Sequence, residues 1–72
     1  MKFKIGDKVI RNIGVGTNHG MCEGDIGIIE HIYHDRTVDV LLNKNKEVSN
    51  RNCEKWISLY IPKTLKEFLK NG

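Results

Sequence analysis

Gly24-Asp25-Ile26-Gly27-Ile28-Ile29-Glu30-His31-Ile32 constrains the fold of this chain more than any other stretch. Two glycines followed by β-branched residues read as a tight turn that feeds a strand. Phe3 to Arg11 supplies an earlier strand-like segment, and Val38-Asp39-Val40-Leu41-Leu42 a later one with alternating character, so three strands follow one another. Isoleucine occurs nine times and alanine not at all. That bias suits half-buried pleated strands rather than a helical bundle.

The remaining punctuation fills in the order. Gly6-Asp7 reads as a turn, so the first strand starts at Lys8 with Val9 facing inward. Asn12 to Glu23 mixes glycines and polar residues and reads as a long irregular loop, flexible or functional. In the second strand, Ile26 to His34, the apolar phase passes from Ile26, Ile28 and Ile29 to Ile32, which predicts a bulge near Glu30. Asp35-Arg36 and Asn43 to Lys46 read as turns. Glu47-Val48-Ser49 begins a fourth strand, and Asn50-Arg51-Asn52 reads as a further turn. Trp56, Ile57 and Leu59 form a fifth strand or a short helical turn. After Pro62, Leu65, Phe68 and Leu69 share one helical face with Ile61, so a helix is expected over residues 62–71. The division is then a barrel over residues 1–61 and a C-terminal helix over 62–72 packed upon it.

Length and charge narrow the function. A chain of 72 residues holds one domain, and a domain this small buries only ~60% of the surface of its unfolded form. A buried catalytic cavity is not expected, and the reading is non-enzymatic. Lys and Arg number 12 against 9 Asp and Glu, a mild excess that falls short of a phosphate-binding stripe. Met1 to Asp7 is charged where a secretory signal needs an apolar run, and no stretch approaches the ~20 apolar residues of a membrane span. A cytoplasmic setting is expected, with Cys22 and Cys53 as thiols rather than a disulfide.

The run Gly6-Asp7-Lys8-Val9, the glycine-bearing loop, Gly24-Asp25-Ile26-Gly27-Ile28-Ile29, Ile32 and Val38-Asp39-Val40 resembles the pattern of KOW-type and related SH3-like small barrels, including short bacteriophage-encoded proteins. The resemblance covers about residues 3–60. It implies a five-stranded all-β barrel that serves as a platform for RNA, DNA or peptides, and it is more specific for fold than for function.

Candidate chemistry is sparse. His19, Cys22, His31, His34 and Cys53 could in number furnish a zinc site, but His31 and His34 point to opposite faces of a strand and no paired cysteines exist, so no metal is expected. Gly14 to Gly20 lacks the Gly-Lys-Ser/Thr of a phosphate loop. No cofactor is expected. The reading is a module that binds and modulates another macromolecule, with Asn18, His19, Tyr33, Arg51, Trp56 and Tyr60 as contacts for a protein partner. The alternative is a nucleic-acid binder using Lys44, Lys46 and Arg51. Trp56 serves either as a lid on the barrel or as an interface anchor, the lid being favoured. A core this small can also lean on a second copy of the chain.

Overall fold

The computed structural model describes residues 2–61. Five strands, β1 (Lys8–Arg11), β2 (Ile26–Ile32), β3 (Thr37–Leu42), β4 (Val48–Cys53) and β5 (Ile57–Leu59), form one antiparallel sheet in the order β4-β3-β2-β1-β5. A 3₁₀ turn over Glu54–Trp56 leads from β4 into β5. Five strands in an all-β chain match the expectation. The ladder keeps two edges, β4 and β5, which do not pair with each other. The expected helix after Pro62 lies outside the described residues. Among the described residues no helix is long and apolar enough to cross a membrane.

The two glycines of the opening motif do different jobs. Gly24 sits at φ +85° with open space around it, so it supplies a backbone conformation that other residues resist. Gly27 has no such φ; instead a Cβ there would overlap the Val40 side chain and stand 2.5 Å from the Leu41 carbonyl oxygen. It pairs with Val9 on one side and Leu42 on the other, both buried, so its missing side chain lets the inner face close.

The predicted bulge is present. Ile29 opposes Val40 and His31 opposes Asp39, leaving Glu30 as the extra residue, and Ile32 regains the inner face opposite Val38. A second irregularity, not foreseen, lies across Asp39. Val38 pairs with Asn52 and Val40 with Ser49, so Asn50 and Arg51 together face the single residue Asp39. Asn50-Arg51-Asn52 is therefore a bulged part of β4 rather than the expected turn, with Arg51 at φ 58°.

The core comprises Phe3, Val9, Met21, Ile29, Val38, Val40, Leu42 and Ile57. Met21 places the long loop in this core. The loop is pinned rather than loose: Asn18 and Met21 pair backbone to backbone, and Arg11 donates to the Gly16 carbonyl at 2.8 Å. The sheet also curls strongly. A flat sheet would hold β1 and β4 roughly 14 Å apart across three strand spacings, yet Arg11 of β1 donates to Asn52 Oδ1 of β4 at 3.2 Å.

Candidate binding surface

Three groups of polar and aromatic side chains result from this curl. The first lies beside the pinned loop. Arg11 follows Val9 on the inner face and is 1% exposed, although no carboxylate among the described residues pairs with it. Its guanidinium donates to the carbonyls of Gly16 and Val15 and to Asn52 Oδ1, and it lies 4.8 Å from the Trp56 ring centroid. Asn52 in turn donates to the Ser49 carbonyl and hydroxyl oxygens, and Ser49 Oγ donates to the His19 carbonyl at 2.6 Å. Among the described residues no buried side-chain nitrogen or oxygen is left without a hydrogen-bond partner, which is the condition under which a polar group can be buried. Trp56 is half-buried, and the exposed His19 ring stacks with it at 6.2 Å between centroids and a 27° interplanar angle. Asn18, exposed, holds the His19 N–H through its Oδ1.

The second group is built on the β4 bulge. Asp39 is only 9% exposed. Its carboxylate accepts from Tyr33 OH at 2.8 Å and from the Arg51 N–H at 3.0 Å. Burial alone would raise its pKa, but these two hydrogen bonds, one from Asn50 and the charge of His31 hold it below the usual carboxylate value. The same hydrogen bond pushes the Tyr33 hydroxyl upward. The Arg51 guanidinium lies 3.8 Å from the Tyr33 ring centroid and 3.3 Å from Asp35, while His31 meets Tyr33 edge-on.

The third group lies on the outer face, turned from the core. Lys8, Ile28, Leu41 and Val48 stand directly opposite one another on β1, β2, β3 and β4, forming a row across the sheet. Ile28 and Val48 are each 44% exposed. Lys8, Ile26, Gly27, Ile28, Leu41, Leu42, Asn43 and Lys46 line an open groove of about 120 Å³ there. Lys8 Nζ also lies 5.2 Å from the Tyr60 ring. Lys44 is tied to Asp25 at 2.7 Å, which raises the lysine's pKa; burial pushes Asp25 up, but the hydrogen bonds from Lys44 and the Cys22 N–H outweigh it and leave the acid lowered.

The six residues singled out from sequence thus fall in three places: Asn18, His19 and Trp56 by the loop, Tyr33 and Arg51 at the bulge, and Tyr60 beside Lys8. Lys44, Lys46 and Arg51 do not form one basic patch, since Lys44 and Arg51 face Asp25 and Asp35. Arg11 and the outer row were not singled out. The row has a signal only once the strands are in register, because cross-strand neighbours are not neighbours in sequence. Cys22 and Cys53 are half-buried free thiols, and among the described residues no three His, Cys, Asp or Glu side chains converge to hold a metal. No protein-family model, curated protein or solved structure matches this chain.

Proposed function

We propose that this chain is a non-catalytic binding module, a small SH3-like barrel that grips another protein through the outer face of its sheet. The observation that carries the reading is the row Ile28, Leu41 and Val48, an apolar strip that no core among the described residues covers. Contiguous exposed apolar surface on a small domain marks an interaction site more often than scattered single residues do. The curl that joins Arg11 to Asn52 supports the barrel, since it is the bend such a sheet needs to wrap around one core.

The nucleic-acid reading has less support. It would use the side chains of Lys44 and Arg51 against phosphate, yet each already stands beside a carboxylate. Capture of partners from lysate on the immobilised full chain, with and without nuclease, tests the proposal. A protein that is retained after nuclease and lost on Ile28→Glu is the expected result. Retention that vanishes with nuclease would assign the chain to nucleic acid.

A further inference from the structure

The groove on the outer face has a charge pattern as well as an apolar floor. Its lining contains two lysines, Lys8 and Lys46, one asparagine, five apolar or glycine positions and no acid. Neither lysine belongs to an ion pair among the described residues, in contrast to Lys44 just outside it. Lys46 is held in place by its turn: its backbone is at φ 60°, its N–H donates to the Leu42 carbonyl at 2.9 Å and its Nζ to Asn43 Oδ1 at 3.2 Å. Lys8 is placed against the Tyr60 ring. The volume, about 120 Å³, approaches the ~150 Å³ that accommodates a benzene in an apolar cavity. It has room for a single aliphatic side chain.

We propose that this groove takes an acidic peptide segment of a partner protein, one aliphatic side chain resting against Ile28 and Leu41 and flanking carboxylates meeting Lys8 and Lys46. The inference rests on the outer face being the binding face, as proposed above. Apolar contact supplies the anchor, and the two lysines select the sign of its neighbours.

Four labelled heptapeptides test it on the full chain by fluorescence anisotropy and amide chemical shifts: a central leucine flanked by glutamates, by lysines or by serines, and a central serine flanked by glutamates. The glutamate-flanked leucine is expected to bind at least about tenfold more tightly than the serine-flanked one, to shift Ile28 and Leu41, and to lose affinity as salt rises. The lysine-flanked peptide and the central serine are expected to bind more weakly still. Because Lys8 and Lys46 are both exposed, the double variant Lys8→Glu, Lys46→Glu keeps its far-ultraviolet spectrum and reverses the preference toward lysine flanks. Equal binding across the charge series, with shifts still at Ile28 and Leu41, would overturn the acidic chemistry and leave the face. No shift there with any peptide would overturn both. Contacts into the groove from residues 62–72, a dimer that Ile28→Glu dissolves, or oligothymidine binding at these resonances would give the face another occupant and overturn the proposal.

Discussion

Arg11 and Arg51 make the most instructive pair of regions in the molecule. Each guanidinium stacks on an aromatic ring, Trp56 in one case and Tyr33 in the other. Arg11 is buried and satisfied by carbonyl oxygens, so it fastens the long loop and β4 to β1. Arg51 is exposed, and its side chain adds surface contacts to Tyr33 and Asp35; the part of it that builds the fold is its backbone N–H on Asp39. Burial, rather than residue type or aromatic partner, separates a structural arginine from a surface one.

Arg11→Met breaks or sustains this comparison most sharply. It keeps a linear side chain but leaves the Gly16 and Val15 carbonyls and Asn52 Oδ1 without their donor. Of these acceptors Asn52 Oδ1 is the buried one, and an orphaned buried group costs ~1 to 3 kcal/mol, so a loss of up to about 3 kcal/mol is expected in urea melts. An unchanged midpoint would remove Arg11 from the fold's support. Next in size is Gly27→Ala, where the added methyl meets Val40 and the Leu41 backbone; overpacking of this kind costs ~1 to 3 kcal/mol, and the same melts would register it. Gly24→Ala, strained only by its φ, is expected to cost less.

Trp56→Ala sharpens the account of the buried arginine. The ring is half-buried over Arg11 and beside His19; if it serves as a lid, roughly 2 kcal/mol is expected, below the ~3 to 5 of a fully buried tryptophan. A stability unchanged by Trp56→Ala, with partner capture lost, would make it an interface anchor instead. Arg51→Ala, at the other end of the comparison, is expected to move the midpoint by less than about 1 kcal/mol.

Acid separates the two regions as well. Asp39 lies below its unfolded value of 3.8, and Asp35 is lowered too, chiefly by the Thr37 hydroxyl. As pH falls the unfolded chain takes up these protons first, so the stability they contribute is complete above the unfolded value and is lost as pH passes down through the lower folded values. Thermal melts of the wild type should fall off below about pH 4, and Asp39→Asn should flatten that part of the profile. An Asp39→Asn profile as steep as the wild type would show that the bulge carboxylate is not the group responsible.

Much of this fold was legible in the sequence, for physical reasons. The step from Ile29 to Ile32 breaks the period of two, and only an extra residue restores the inner face, so the bulge at Glu30 could be inferred. Gly24 announced its turn. The polar core could not be read in the same way. Val9 and Arg11 share a phase, but a buried arginine becomes sensible only when the carbonyls of Val15 and Gly16 and the side chain of Asn52 are brought to it by tertiary contacts. For the same reason Asn52 resembled a turn residue, although it faces inward opposite Val38 as Ser49 does opposite Val40. The outer row depended on the register of three strand pairs, one of them displaced by the Asp39 bulge, and was hidden until that register was fixed.

The central claim, that Ile28, Leu41 and Val48 form the contact face, is tested most directly by methyl-labelled NMR of the full chain with the nuclease-resistant partner. The account predicts that the methyl signals of these three residues move on binding while those of buried Ile29 and of Ile13 on the loop stay in place. Shifts confined to Ile13, Val15 and the Trp56 indole would contradict it and assign binding to the loop beside Arg11.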